Sequence, residues 1–334
     1  MTLVLAAILL VALLLLAGLF GPRVVRAAAP TLRRTPRLAV LAMLGTLAAW
    51  LAGVAAIGPM LAWRAMGHDV ALSGPSGAVC RRCLAAADPW ALGGGFDAVG
   101  PTVLLALPVL LLGAVVAVSM LVSSRGRAPA LHEAGSALRR AGRARTVLGF
   151  RVTVVGDSHP VAYSLPARHC GIVISQRLID EFSDDELLAV LTHENAHLRQ
   201  KHHLVLALTG GIGRRLRWVP LITAIAEAVP HYLEIAADDA ARRRTGTPAL
   251  ARALLKLGES GRTPAPAAPA PHAAPLALHA AGVDRIRHLT ARRGSPGGTA
   301  AALALTGTAL LLVGGAAVVH LPYALAVIAG CAQT

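Results

Sequence analysis

Apolar residues are concentrated in four long segments of the chain. These segments cover residues 2–20, 38–62, 101–122 and 299–332, and none of them contains Asp, Glu, Lys or Arg. A helix of about 20 apolar residues can cross the hydrocarbon core of a bilayer, which is about 30 Å thick. The pattern therefore predicts an integral membrane protein that is mostly α-helical and has four transmembrane helices.

The first apolar segment has an alternative interpretation as a cleaved signal peptide, because Ala27, Ala28 and Ala29 offer small residues for cleavage. A signal peptide begins with a positively charged region. Here the first arginine, Arg23, follows the apolar segment. We therefore favour a transmembrane helix over residues 2–20.

The arginines between the apolar segments predict the orientation of the helices. Residues 21–37 contain arginines and no acid, residues 63–100 are neutral, and residues 123–298 carry most of the remaining arginines. Lys and Arg are enriched in cytoplasmic loops. We therefore expect residues 21–37 and 123–298 to be cytoplasmic, and the loop 63–100 and both termini to be extracellular.

The composition agrees with this interpretation. The chain has 334 residues, of which 55% are hydrophobic and 15% are charged, and its formal net charge is +15. Such a composition argues against a disordered chain and against an ordinary soluble enzyme. A strongly basic chain can bind nucleic acid, but the predicted topology already accounts for the positions of the arginines. We expect the lipid bilayer as a partner and no direct binding of nucleic acid.

Cys80 and Cys83 form a CxxC motif in the predicted extracellular loop. An oxidising compartment permits a disulfide, so we predict a local disulfide between them. Free thiols and a metal site are the alternatives, although the loop adds only His68 to a zinc site that would need four ligands.

Residues 124–260 have the pattern of a compact α+β domain. A polar helix is predicted over residues 128–148. Three short β-rich segments with turn residues between them predict a small sheet; they cover residues 150–155, 161–165 and 171–175. Ser183 and Glu186 have the spacing of a capping box, which predicts that the next helix begins at Asp184.

The remainder of this domain is predicted to be helical. Residues 204–229 are apolar but interrupted by glycines and arginines, which indicates an interfacial helix pair or a re-entrant segment. A further helix is predicted over residues 231–244. The chain then divides into a membrane region (1–123), the α+β domain (124–260), a Pro/Ala-rich linker with a basic juxtamembrane segment (261–298) and the fourth transmembrane helix (299–332).

The strongest chemical signal is the HExxH motif His193-Glu194-Asn195-Ala196-His197. Residues four apart lie on the same face of a helix, so His193 and His197 can bind one metal ion. Glu194 can act as general base toward a water that zinc has acidified. The motif predicts a zinc metalloendopeptidase with one Zn²⁺ per chain.

A catalytic zinc site needs a third protein ligand. Glu234 is the best candidate, because Asp238 follows it at a spacing of four residues and can orient a ligand histidine. His202, His203 and His231 are alternative ligands.

The stretch ARHCGIVISQRLIDEFSDDELLAVLTHENAHLRQKHH, followed by EIAADDA, resembles the BlaR/MecR-like membrane zinc metallopeptidases. The resemblance implies a gluzincin-type zincin domain between the third and fourth transmembrane helices. It also implies His193, His197 and Glu234 as ligands, Glu194 as general base and Asp238 as the residue that orients a ligand.

By the same resemblance, the substrate is a protein or peptide such as a transcriptional repressor, cleaved in regulated proteolysis at the cytoplasmic face. The β-lactam sensors of this family carry a penicillin-binding domain after the fourth helix. This sequence ends at Thr334 without one, so we do not expect β-lactam sensing.

Two other functions remain open from the sequence. CAAX-protease/HtpX-type quality-control peptidases share the HExxH and ExxxD motifs, although they usually place two hydrophobic spans between them. A non-catalytic signalling scaffold would use the zinc only structurally, and would have no need for Glu194.

An extended peptide substrate can bind as an added strand at an exposed sheet edge. Val173 and Ile174 lie in a β-rich segment shortly before the HExxH helix, so we predict that they form this edge. The alternative is that their strand is interior to the sheet.

Overall fold

The computed structural model describes residues 2–65, 110–166 with short breaks between 120 and 139, 170–260 and 296–331. Cys80, Cys83 and most of the predicted linker lie outside the described residues, as does the first half of the predicted third span. The bounds of the helices are α1 (Thr2–Leu32), α2 (Pro36–Ala65), α3 (Leu110–Ser119), α4 (Gln176–Glu181), α5 (Asp184–Arg199), α6 (His202–Arg215), α7 (Pro220–Ser260) and α8 (Pro296–Cys331). The strands are β1 (Arg143–Val147), β2 (Phe150–Val155), β3 (Ala162–Ser164) and β4 (Ile172–Ser175).

Three of the described helices are long and apolar enough to cross a membrane. Their candidate spans are Ile8–Leu32, Pro36–Ile57 and Gly298–Ala317, whereas α3 is a shorter apolar helix. The Trp50 indole donates a hydrogen bond to the Leu14 carbonyl (Nε1···O 3.0 Å) and joins α1 to α2. The three long apolar helices therefore indicate a membrane protein.

The region predicted as the first cytoplasmic loop is mostly helical. The helix α1 continues past the apolar segment to Leu32, and only a short turn separates it from α2. Val25, Ala28 and Leu32 are buried and lie on one face of α1. This packing extends the helix beyond the membrane-like segment although the opposite face carries arginines.

Among the described residues, the sheet has four strands in the order β1-β2-β4-β3, one more than predicted. The three predicted strands correspond to β2, β3 and β4. The prediction of a helix through residue 148 is wrong, because β1 pairs with β2 across the two-residue turn Leu148-Gly149. Both turn residues have positive φ (47° and 82°), which is the conformation that favours a tight hairpin. Most of β1 is exposed, so its sequence lacks the alternation that would reveal a strand.

The prediction that Val173 and Ile174 form a substrate-binding edge is wrong. Their strand β4 is interior: it pairs in parallel with β2 and antiparallel with β3. Both side chains are fully buried. Four consecutive apolar or buried positions are typical of a strand covered on both faces, and the open edge next to it belongs to β3.

The predicted capping box is confirmed. The Glu186 amide donates to Ser183 Oγ (3.5 Å), and the Ser183 amide donates to Glu186 Oε2 (3.1 Å). Glu186 is also bound by two cations from α7, Lys256 (Nζ···Oε2 2.6 Å) and Arg252 (Nε···Oε1 3.2 Å). These contacts fix the start of α5 against the second half of α7.

Residues 204–229 form a helix pair, one of the two predicted arrangements. The helices α6 and α7 meet at a turn over residues 216–219, and α7 is interrupted at Gly246 (φ 81°, ψ 164°). Ile212, Val219, Leu221 and Ile225 lie in one apolar core with buried residues of α1, α2 and α8. The helix that carries Glu234 is therefore anchored directly on the membrane helices.

Candidate active site

The HExxH motif lies on α5, the capped helix, and its side chains are directed into the protein. His193 is 1% exposed, and Glu194 and His197 are also buried. The Nε2 atoms of His193 and His197 lie 3.0 Å apart, as expected for two imidazoles one helical turn apart on the same face. Local helix geometry therefore produces two of the three predicted ligands.

Glu234 comes from α7, which packs against α5. Its Oε2 lies 3.6 Å from His193 Nε2, and its Oε1 lies 3.5 Å from His197 Nε2. One ligand atom from each of the three residues can be chosen so that all lie within 4.8 Å of one another. The structure brings together the three residues that the sequence predicted as ligands.

The donor set fits zinc. Zinc bonds of about 2.0–2.2 Å place tetrahedral ligand atoms about 3.3–3.6 Å apart, and the separations here are 3.0, 3.5 and 3.6 Å. Two imidazoles and one carboxylate are also a ligand set used by catalytic zinc sites, in which a fourth position stays open. The Glu234 side chain is one-quarter exposed, so the site is accessible from one side.

Asp238 lies behind His193, as the sequence predicted. Its Oδ1 is 3.0 Å from His193 Nδ1, and its side chain is buried. Because a carboxylate only accepts hydrogen bonds, this contact places the His193 proton on Nδ1. The lone pair of Nε2 then points toward Glu234 and is available to a metal.

His202 supports the ring of His197, a role that the sequence did not predict. Its Nδ1 lies 2.8 Å from His197 Nδ1, and its Nε2 lies 3.3 Å from Gln200 Oε1. His202 therefore contacts the ring nitrogen of His197 that faces away from Glu234, and is not placed as an alternative ligand. The sequence indicated only that His202 lies close to the HExxH motif. The turn after α5 determines that its side chain is directed toward His197.

The ring of His202 is neutral near pH 7. Burial lowers the pKa of His202 to about 4, against the opposing effect of the Glu234 carboxylate. The positive charge of Arg37, at the start of α2, lowers the pKa further. A neutral His202 that donates from Nε2 to Gln200 accepts at Nδ1 from His197, which leaves His197 Nε2 without a proton.

The strand next to this site is β3. A cleft lies between its end and the helix termini; it is lined by Ser164, Leu165, Pro166, His197, Leu198, His202 and His203. The Leu165 amide donates to the Gly171 carbonyl (2.8 Å), and the Val161 carbonyl accepts from the Ser175 amide (2.9 Å). Antiparallel strands alternate inward and outward backbone groups. The N–H and C=O groups of Ala162 and Ser164 therefore point away from β4, toward the open edge.

Comparison with known proteins agrees with the geometry. Residues 126–231 match the family model of Peptidase family M48. This match contains the sheet and the whole HExxH motif, whereas Glu234 and Asp238 lie just beyond it. No curated protein and no solved structure matches the chain. The family match, the His193/His197/Glu234 cluster and the three long apolar helices together support a membrane-associated metallopeptidase.

Proposed function

We propose that this protein is a membrane zinc metalloendopeptidase that binds one Zn²⁺ through His193, His197 and Glu234. The observation that carries the proposal is the convergence of Glu234 on two HExxH histidines from a separate helix. A structural zinc site would have all four positions closed by protein ligands. Here three ligands and a buried carboxylate beside them are the arrangement that hydrolysis requires.

The residues then have distinct roles. Zinc, when bound, supplies Lewis acidity that lowers the pKa of a water and polarises the scissile carbonyl. Glu194 follows the first ligand on α5 and is buried, so it can accept the proton of the attacking water and pass it to the leaving amine. Asp238 holds the proton of His193 on Nδ1 and keeps the ring oriented.

The substrate is proposed to bind along β3. The open backbone groups of Ala162 and Ser164 can pair with an extended peptide, and Ser164 lies in the same cleft as His197. Backbone pairing accepts many side-chain sequences. This arrangement suits an endopeptidase whose substrates are exposed, extended segments of proteins.

The biological role that we propose is regulated proteolysis at the cytoplasmic face of the cell membrane, in line with the BlaR/MecR-like resemblance of the motif region. A transcriptional repressor is the kind of substrate that this role implies. The arginine-rich composition of residues 123–260 supports the cytoplasmic orientation.

The test combines zinc content with cleavage of an unstructured protein such as casein by the full-length protein in detergent. Wild type should hold about one zinc per chain and cleave. Glu194→Gln should keep the zinc and lose at least 100-fold in kcat, because it removes the proton acceptor and no ligand (general-base catalysis contributes about 10²–10⁴-fold).

His193→Ala should lose both zinc and cleavage. Glu227→Gln, an exposed position on α7, is the matched control and should change neither. Full activity in Glu194→Gln would overturn the mechanism. Zinc binding without any cleavage by wild type would favour the signalling scaffold.

A further inference from the structure

The turn between α6 and α7 has a composition that plays no part in the zinc site. Residues 214–218, which cover the end of α6 and most of this turn, read Arg-Arg-Leu-Arg-Trp. Arg214 and Arg217 are exposed, and Trp218 is 72% exposed, which is unusual for the largest apolar side chain. The turn therefore presents an aromatic ring and cations on the outside of the protein.

This turn lies beside the middle of α1. Val219, directly after Trp218, is buried next to Gly18 of α1, where a Cβ would lie 3.8 Å from its Cγ1. Leu221 fills the space left by Gly21: a Cβ at Gly21 would lie 2.5 Å from Leu221 Cδ1. The level of the turn along the membrane helices is therefore fixed at residues 18–21 of α1.

The exposed surface of α1 changes character at the same level. Leu15, Leu16 and Leu19 are more than half exposed, as helix residues facing lipid would be. Phe20 follows, and the guanidinium of Arg23 lies 5.1 Å from the centre of its ring. Arg23 and Arg26 are exposed on the next two turns.

The third apolar segment shows the same change. Val118, Leu121 and Val122 are exposed apolar residues, and Arg125 is the next exposed residue described. Arg215, the last residue of α6, donates a hydrogen bond to the Val118 carbonyl (Nη2···O 3.2 Å), which brings this level next to the turn. Two separate segments thus change from exposed leucine or valine to exposed arginine at the height of the turn.

Exposed arginines are expelled from hydrocarbon, and tryptophan is enriched where hydrocarbon meets headgroups. The common height therefore marks the surface of the bilayer. We propose that the α6–α7 turn is a binding site for anionic phospholipid headgroups, with Arg214 and Arg217 on the phosphates and Trp218 in the interfacial layer. Guanidinium groups bind phosphate through two parallel hydrogen bonds, which favours this ligand.

The proposal goes beyond hydrolysis, because it assigns the turn a ligand of its own. It also sets the height of the active site. Glu234 lies 14 residues after Pro220 on the same helix, which corresponds to about 21 Å at 1.5 Å per residue. The turn thereby holds the cleft above the plane of the headgroups.

The test uses full-length protein in phosphatidylcholine vesicles that contain a minority of phosphatidylglycerol. One of the two lipids is brominated, either near the headgroup or deep in its acyl chains. The quenching of Trp218 fluorescence is obtained by subtracting the quenching in Trp218→Phe from that in wild type. This measurement requires neither zinc nor activity.

Shallow bromines should quench Trp218 more than deep bromines. Brominated phosphatidylglycerol should quench it several-fold more than brominated phosphatidylcholine at the same fraction. A contribution of about 1 kcal/mol per arginine corresponds to about five-fold per residue. Arg214→Gln combined with Arg217→Gln should therefore remove most of the preference.

The matched control is Arg145→Gln combined with Arg151→Gln, which removes the same charge from exposed positions of β1 and β2. It should retain the preference, and circular dichroism should show that both double variants are folded. No quenching, deeper quenching or equal quenching by the two lipids would overturn the proposal. The proposal would also be overturned if the quenching of Trp218 decreased as the protein-to-lipid ratio increased, because a second copy of the chain would then cover the turn.

Discussion

At the scale of single residues, each of the two HExxH histidines has a partner that fixes its proton. Asp238 contacts Nδ1 of His193, and His202 contacts Nδ1 of His197. In both cases the nitrogen that faces Glu234 is left to accept a metal. The Asp238 carboxylate and the His202 imidazole both accept a hydrogen bond from the histidine that they contact. Only Asp238 also adds a negative charge behind that histidine.

Asp238→Asn should weaken zinc binding by about 10–100-fold, because the amide no longer forces the proton of His193 onto Nδ1. Competition with a chelating dye measures this affinity directly. Asp239→Asn is the control: this neighbouring carboxylate pairs with Arg242 (3.0 Å) and does not contact the site. Equal zinc affinity in Asp238→Asn and wild type would contradict the assigned role.

At the scale of the elements, Glu186 joins two helices that are distant in sequence. It lies in the capping box of α5 and is bound by Arg252 and Lys256, which are 66 and 70 residues away. Burial raises the pKa of Glu186, but the hydrogen bonds from Lys256, the Ser183 amide and Arg252 outweigh this effect and hold the pKa below its ordinary value of 4.5. The ionised form is therefore stabilised by folding.

Glu186→Gln should lower the free energy of unfolding by about 1.5–3 kcal/mol at neutral pH, the range for hydrogen bonds to charged groups. A depressed carboxyl pKa contributes stability that is present above the unfolded pKa and is lost as pH falls through the folded pKa. The difference between variant and wild type should therefore shrink below pH 4.5. Chemical denaturation at several pH values measures it.

Glu181→Gln is the control for this prediction. Glu181 forms an exposed ion pair with Arg177 on the short helix α4. Exposed pairs contribute about 0–1 kcal/mol, so this change should be small at every pH. An equal loss in both variants would show that the capping network has no special role.

The edge strand β3 gives a second prediction at this scale. Ala162→Pro removes an amide that points toward the open edge, and proline is tolerated there. The variant should stay folded and keep zinc, but peptide cleavage should fall. Tyr163→Pro removes an amide that points toward β4 and should instead reduce stability.

The comparison of casein turnover, zinc content and melting temperature in these two proline variants separates the two effects. Unchanged turnover in a folded, zinc-loaded Ala162→Pro protein would exclude β3 as the substrate edge.

At the scale of the whole molecule, the peptidase segment and the membrane helices share a core. The first half of α7 packs on α1 and α2, in a core that also contains residues of α8, while its middle supplies Glu234 and its end binds Glu186. One long, kinked helix therefore connects the candidate membrane helices, the candidate metal site and the start of the HExxH helix. A shift of the membrane helices would reach the third ligand through rigid secondary structure.

The positions of the arginines predict the orientation of this assembly. A fluorescent protein fused at Gly261, directly after α7, should be fluorescent, as in the cytoplasm. Alkaline phosphatase fused at Gly95 should be active, as outside the cell, because positively charged loops stay inside. Paired alkaline phosphatase and fluorescent protein fusions measure this. An extracellular signal at Gly261 would place the peptidase domain on the other side of the membrane.

Several features of the fold and the site could be predicted because they depend on residues close in sequence. The spacing of His193 and His197, the capping box of Ser183 and Glu186, and the strands β2 to β4 follow from helix geometry, cap chemistry and β-rich segments. Glu234 could be selected from a later helix only because its pairing with Asp238 matched what a zinc site needs. The apolar segments likewise indicated a membrane protein, since their length is a local property.

Other features depend on the tertiary structure. The order of the strands placed Val173 and Ile174 inside the sheet and left β3 at the edge, because pairing is decided by long-range packing. The exposed strand β1 carries no alternation, and α1 passes Arg23 because its opposite face is buried. The sequence by itself determined which residues form the candidate metal site, because their types and spacing are local, whereas the contacts of Glu186, His202 and the α6–α7 turn exist only because distant helices pack together.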